Sequence, residues 1–377
     1  MLVIILWCGI VNNNLTLKVV HPSLSKRSIT KELKMVNIWL REYTNTPNTF
    51  ISYNKAAERF LMWLYSINKN LKLVTREVIQ DYQLFMKDPQ PREIWCGVTR
   101  SRKHPEWKPF YKPLGSSSIN LQIQILKSMY QYLIDYGYLV RNPFRLIRHK
   151  LITQNKVIEK YLNHKEWAYL IEYVQFLPPG ANQKERYTHE RLRWIFSLLY
   201  FTACRRNEVI TATMADFINK RGQWWLNVIG KGEKQGSIPI TNELLAALIR
   251  YRTFMNLPKL PNITEMHIPL ISKNNQFAPL TGSALYKIIK RACQKLSNKL
   301  KSSDPTSAFV FKNVSTHWLR HTSATHQVDA GIDLLIVKSN LRHSLLETTM
   351  KYQHTEANKQ HHETITKFGQ YSSSNAK

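Results

Sequence analysis

Apolar positions recur at helical spacing along most of the chain. Tyr53, Ala57, Phe60, Leu64 and Ile67 step by 4, 3, 4 and 3, so they share one helical face, with Asn54, Lys55, Glu58 and Arg59 on the other. A second helix follows Thr75, a fitting N-cap, and turns Val78, Ile79, Tyr82 and Phe85 inward. A third places Ile119, Ile123, Leu126, Tyr130 and Leu133 on one stripe and stops near Gly137. Between the last two lies a long connection, 88–118, broken by Pro89, Pro91, Pro105, Pro109 and Pro113 and rich in Lys and Arg. It reads either as a disordered insertion or as a DNA-contacting loop. After Asn142-Pro143 a basic stretch of 145–157 reads as an interdomain linker.

The pattern then changes once. Helices are expected at about 164–176 and 188–204, then a strand pair, Trp224 to Ile229 and Ser237 to Thr241. The seven residues Gly230 to Gly236 join the pair and contain three glycines, which suits a tight or bulged hairpin. Helices resume at about 242–254, 281–298, 316–330, 333–340 and 345–352. The chain is therefore expected to be mainly α with a small β-sheet. No repeat of 20–50 residues is visible, which sets solenoids and propellers aside.

Length and charge sharpen this. The 377 residues suggest two domains or three. Lys and Arg number 54 against 25 Asp and Glu, a formal charge of +29, which points to a polyanionic partner: nucleic acid first, an acidic membrane surface second. No long basic amphipathic helix supports the membrane. The four cysteines, Cys8, Cys96, Cys204 and Cys293, form no Cys-x-x-Cys and are far apart, so a disulfide framework or structural zinc site is not expected, and a reducing cytoplasm fits. Leu2 to Ile10 is apolar but too short to span a bilayer, and no basic residue precedes it as in a signal peptide. It reads as a short buried or frayed segment, or as the product of a start assigned too early, with Met35 the alternative start.

Four segments carry candidate chemistry. Phe201 to Ile210 closes one helix and opens another, with Arg205 at the junction; alone, such an arginine is usually a solvated charge or a salt bridge. Lys231 sits in the glycine-rich hairpin, where backbone can approach a phosphate without Cβ clashes, though taken alone it reads first as a solvated hairpin lysine. No Gly-x-x-x-x-Gly-Lys-Ser/Thr loop is present. His317 and Arg320 are three apart on one helix behind Ser315 or Thr316 as cap, a pairing that suits a phosphoryl group or simply a basic helix face. Leu341-Arg342-His343 then precedes Tyr352 by a short distance.

In this order the four segments resemble the tyrosine recombinase (phage integrase) family, whose pattern is Arg in a Thr-Gly-Leu-Arg-like helix start, Lys on a hairpin, His-x-x-Arg, Leu-Gly-His and Tyr. Arg205, Lys231, His317, Arg320, His343 and Tyr352 fill all six positions. Two residues depart from the pattern. Ala203 stands where Gly is common, a minor change on a helical backbone; Arg342 replaces the Gly before the histidine, which matters where φ is positive.

The resemblance implies a two-domain fold: a helical, SAM-like, DNA-binding core-binding domain over 40–148 and an α+β catalytic domain over 157–356. Residues 149–156 would be the linker, 357–377 a C-terminal tail and 1–39 an uncertain N-terminal segment. It also implies a site-specific recombinase that cuts and rejoins DNA through a covalent 3′-phosphotyrosine. Tyr352 would be the nucleophile and Lys231 the general acid. Arg205, Arg320 and His343 would stabilise the phosphoryl charge, with His317 aiding proton transfer. Neither metal nor nucleotide cofactor is expected, since no carboxylate or His/Cys cluster has metal spacing. The implied partners are duplex DNA with an inverted-repeat core site, four protomers on two duplexes clasped in a C-shaped clamp, and accessory DNA-bending proteins, in the cytoplasm at the nucleoid. Ile365 and Phe368 would anchor the tail on a neighbour, unless the end is simply frayed. Two other readings remain: a type IB topoisomerase-like relaxer with the same chemistry, and a non-catalytic DNA-binding protein, which has no need of the intact six-residue set.

Overall fold

The computed structural model describes residues 26–147, 160–178, 180–230, 233–273 and 277–342. The chain divides into two compact units, Met1–Asn155 and Lys156–Lys377. The segments expected at 2–10, 149–156, 345–352 and 357–377 lie outside the described residues.

The first unit is helical: α1 (Lys26–Arg41), α2 (Pro47–Ser66), α3 (Arg76–Lys87), the one-turn α4 (Arg92–Trp95) and α5 (Ser116–Asp135). The three expected stripes face inward, for Ala57, Phe60, Leu64, Val78, Ile79, Tyr82 and all five named positions of α5 are buried. Ile67 instead caps α2 and is exposed. Thr75 occupies the N-cap of α3, where its side chain makes no capping bond to the helix backbone. Gly137 does stop α5, in the left-handed conformation (φ 77°) that favours glycine. An aromatic group of Trp39, Phe60, Trp63, Tyr82, Tyr130 and Phe144 fills the core.

Two features were not foreseen. Helix α1 begins inside the uncertain 1–39 segment, and its Ile29, Leu33, Val36, Trp39 and Leu40 are buried in this core. Its Glu32 is buried as well; one oxygen accepts the Tyr65 hydroxyl at 3.0 Å and the other the Leu71 N–H at 3.0 Å. Secondly, 88–118 is folded, not a disordered insertion. Cys96 and Phe110 form a bridge, Trp95 and Phe110 are buried, and Leu114 N–H donates to Met86 at 2.9 Å. Arg59 ties the excursion to α2: its Nε donates to the Pro109 carbonyl at 3.0 Å and its guanidinium lies 4.4 Å from the Phe110 ring centre. These partners are 50 residues apart, so local pattern does not betray them.

In the second unit, α6 (His164–Gln175), α7 (Gln183–Thr202) and the short α8 (Arg206–Thr211) lead into a sheet, β1 (Phe217–Lys220), β2 (Gln223–Ile229) and β3 (Gln235–Pro239). Then follow α9 (Asn242–Phe254), α10 (Gly282–Leu300), α11 (Pro305–Asn313), α12 (Thr316–Asp329) and α13 (Leu334–Leu341). Asn163 and Glu166 form a reciprocal capping box on α6. Helix α7, apolar through Trp194, Ile195, Phe196, Leu198 and Leu199, is the spine against which α6, α9 and α12 pack. The sheet is an antiparallel meander of order β1-β2-β3, one strand more than expected. Strand β1 is only four residues long and joins β2 through Arg221 and Gly222, both at positive φ, as a two-residue hairpin requires. Strand β3 starts two residues earlier than expected, so Gly236 pairs with Val228 inside the ladder. Among the described residues no helix is long and apolar enough to cross a membrane.

Candidate active site

Two helix junctions converge on α12. Ala203 caps the end of α7 and Arg205, two residues on, the start of α8, while Arg342 caps the end of α13. Arg320, on α12, ties them together. It is 2% exposed, and its two terminal nitrogens donate to the carbonyls of Ala203 and Leu341. One arginine thus brings the Arg205 junction and the residues just before His343 to the same helix. Below it, Ala203, Ala324, Val337 and Leu341 make a small separate apolar cluster.

Arg205 is the N-cap residue of α8 and its side chain is 39% exposed. Glu208, one turn on and only 2% exposed, reaches back to it: Oε2 accepts the Arg205 backbone N–H at 2.7 Å and Oε1 its guanidinium at 2.9 Å. Arg342 closes on the other side, its Nη2 donating to Glu208 Oε2 at 2.6 Å and its Nη1 to the Asn340 carbonyl at 2.7 Å. Burial alone would raise the Glu208 carboxyl. The Arg342 charge and the hydrogen bonds from both arginines outweigh it and hold the carboxyl below its ordinary range. A buried carboxylate shared by two guanidinium groups is the main electrostatic feature of this corner.

Both departures from the family pattern fall at left-handed positions. Ala203 has φ 49° and ψ 27°, and Arg342 has φ 55° and ψ 43°. The helical backbone under which Ala203 would be a minor change is therefore not the one found. Each position costs a non-glycine residue roughly 1–2 kcal/mol. The Ala203 methyl offsets part of this by burial in the small cluster. Arg342 has its ion pair.

His317 lies in the first turn of α12 behind Ser315 at the N-cap, exposed where Arg320 is buried, and its ring meets that of His321 edge-on at 4.2 Å. His326, further along the helix, is structural: it stacks on His164 at 4.0 Å, and its Nδ1 lies 3.0 Å from the Tyr200 hydroxyl. Burial first, then the neighbouring His164, pulls it down to about 4, so it is neutral at pH 7. Lys231, His343 and Tyr352 lie outside the described residues. The hairpin that carries Lys231 is closed by Gly230 N–H donating to Lys234 at 2.8 Å, and β2 packs on α8. The structure therefore brings Arg205 and Arg320 to one corner, with His317 on the same helix as Arg320. Sequence reasoning passed over Glu208 and the bond that Arg342 makes to it. The spacing of Arg205 and Glu208, three apart across a helix start, was a usable signal.

The Phage integrase family model matches residues 180–359, a span that runs through all six candidate positions. The tyrosine recombinase XerC of Bacillus subtilis (strain 168) is 30% identical over 248 residues, 65% of this chain and 72% of that protein. The chain belongs to the tyrosine recombinase family. Solved tyrosine recombinases share its fold. The Tn1549 transposon integrase, in complex with transposon right end DNA, superposes at a TM-score of 0.62 over 88% of this chain and 97% of that one, at 16% identity. The XerH site-specific recombinase, bound to a palindromic difH substrate, gives 0.59 over 90% and 86%, at 18% identity.

Proposed function

We infer that this recombinase cuts and rejoins DNA at a specific site through a tyrosine–phosphate bond. Membership of the family supports the reaction class, and a charge of +29 suits the substrate. The observation that carries the reading is the Arg320 cross-link. It gathers two arginines and the approach to His343 from three distant stretches of chain.

Tyr352 attacks the scissile phosphorus, forming a 3′-phosphotyrosine and breaking the bond to the 5′ oxygen. A phenol has a pKa near 10, so only about 0.1% is ionised at pH 7. Surrounding cations favour the phenolate, and His317 assists its proton loss. Arg205, Arg320 and His343 meet the charge that builds on the non-bridging oxygens. Lys231 gives the departing 5′ oxygen its proton. The phosphotyrosine keeps the energy of the broken bond, so a 5′ hydroxyl reverses the step without ATP. No metal or nucleotide cofactor enters this scheme. The core-binding unit, the inverted-repeat site, the four-protomer assembly on two duplexes with accessory bending proteins, and residence with chromosomal DNA in the cytoplasm complete the reading.

The test is covalent capture. The full chain is incubated with a pool of nicked duplexes carrying inverted repeats of randomised sequence, and protein–DNA adducts are recovered and sequenced. Wild type is expected to enrich one repeat as an adduct, and Tyr352→Phe to bind that duplex with no adduct. A normal adduct yield from Tyr352→Phe would remove the nucleophile assignment. Relaxation of supercoiled plasmid with no enriched site would favour the topoisomerase-like reading instead.

A further inference from the structure

Arg342 is the unexpected residue of this corner. It adopts a left-handed backbone that an arginine ordinarily avoids, yet its side chain is only 11% exposed and both terminal nitrogens are bonded. The head bonds Glu208 Oε2 and the Asn340 carbonyl. The stem lies over β3 where Gly236 has no side chain. A Cβ built at Gly236 would fall 2.5 Å from Arg342 Cδ and 3.0 Å from Cγ, so a side chain there would force the arginine stem, held at its head by Glu208, to move. Three elements therefore meet on one residue: the start of α8, strand β3 leading out of the hairpin that carries Lys231, and the end of α13. At Arg221 the same backbone serves a two-residue hairpin turn and the side chain is exposed; at Arg342 it delivers the guanidinium to a buried carboxylate.

We propose that Arg342 is a positioning residue for DNA cleavage, clamping Glu208, and through it Arg205, while holding β3 and the backbone just before His343 in register. It acts by fixing the guanidinium of Arg205, and by filling one of the two lone-pair directions of Glu208 Oε2 so that the carboxylate cannot swing away from Arg205. Arginine suits the task better than lysine, because its planar fork reaches Asn340 and Glu208 at once.

The inference rests on the recombinase reading, so its test has one arm with DNA and one without. In the first arm, single-turnover cleavage of the duplex enriched by covalent capture is measured for Arg342→Gly, Arg342→Lys, Gly236→Ala and the double variant Gly236→Ala/Arg342→Gly. Arg342→Gly is expected to cleave about tenfold or more slowly, since misplacing a charge by a fraction of an ångström is costly, while duplex affinity stays within about twofold. The acid limb of its rate profile should move to higher pH as Glu208 loses a cation. Among the described residues the groups facing Glu208 are Arg205 and Arg342, with the buried Cys204 thiol and Arg320 behind them. Arg342→Lys should recover part of the rate. Gly236→Ala should cleave poorly, and adding Arg342→Gly should improve it, because the obstructing stem is gone. A wild-type rate and unshifted profile for Arg342→Gly, or no improvement in the double variant, overturns the proposal.

The second arm compares thermal unfolding of wild type and Arg342→Gly without DNA from about pH 7 down to about pH 2.5, well below the ordinary carboxylate value. Glycine relieves strain by an amount independent of pH. The clamp contribution is present above the ordinary carboxylate range and disappears as Glu208 protonates. The difference between the two proteins should therefore change in favour of Arg342→Gly as pH falls, and a difference constant with pH overturns the clamp. If wild type forms no adduct with any duplex, it is the recombinase reading that fails, and this second arm alone decides the clamp.

Discussion

Replacing Glu208 by glutamine keeps the shape of the side chain and removes its charge. The carboxylate now accepts three bonds: Arg205 N–H at 2.7 Å, Arg205 Nη1 at 2.9 Å and Arg342 Nη2 at 2.6 Å. The amide has one oxygen. With that oxygen in the Oε2 place, its NH2 group points at the Arg205 guanidinium, donor against donor. The lost Arg205 contact is discounted, because that side chain is 39% exposed and screened. The Arg342 bond falls from charge-assisted to neutral, and a largely buried guanidinium loses its counter-charge. Together these should cost about 2–3 kcal/mol at pH 7. The pH dependence has a definite sign. A carboxyl depressed in the folded state stabilises above its unfolded value of 4.5, and that stabilisation is lost as pH falls through the lower folded value. The gap between wild type and Glu208→Gln should therefore be widest near neutrality and close in acid. Urea unfolding of the full chain, read from tryptophan fluorescence at several pH values, measures this. The transition also moved by substitutions at Arg252, deep in the second unit, identifies the relevant step. A gap below about 0.5 kcal/mol at pH 7, the range of an ordinary surface change, would refute the reasoning, as would one that does not narrow in acid.

Arg252 is fully buried, forks onto Glu265 through two 2.8 Å bonds, and also donates to the Pro258 and Leu260 carbonyls. Arg252→Met should cost about 3–5 kcal/mol in the same unfolding assay, and adding Glu265→Leu should recover much of it by removing the stranded charge. A chain started at Met35 loses the buried Ile29 and Leu33 and the Glu32 bonds to Tyr65 and Leu71. Its first unit should lose about 3–6 kcal/mol, seen as a lower melting temperature and faster proteolysis; unchanged melting would mean that the part of α1 before Met35 contributes nothing to the core.

Local repetition made the interior helices readable. The 4-3 stripes of α2, α3 and α5 and the apolar run of α7 needed only neighbours in sequence, and the glycine-rich hairpin announced β2 and β3 within two residues. What escaped was specified at a distance or in few residues. Strand β1 is too short to show alternation, and the order of 88–118 comes from Arg59 and aromatic partners far along the chain. The six candidate positions were legible because residue type and order carry them. The Glu208–Arg342 pair was not, because 134 residues separate its members and no periodicity links them. Nor could the sequence alone reveal that Ala203 and Arg342 sit on left-handed backbone; only the packing of the helix ends imposes that.

The four-residue nucleus under Arg320 has a consequence for timing. Val337 and Leu341 are the buried apolar residues of α13, and they rest on Ala203 and Ala324, apart from the large interior of the second unit. With so small an apolar contact, α13 is held mainly by its polar ties, the Arg320 bond to the Leu341 carbonyl and the Arg342 pair with Glu208, and once these open it can leave while α7 and α12 stay in place. Its amides should exchange with deuterium sooner than those of α7. The latch that completes the cutting corner would then shut last, after the scaffold is already firm.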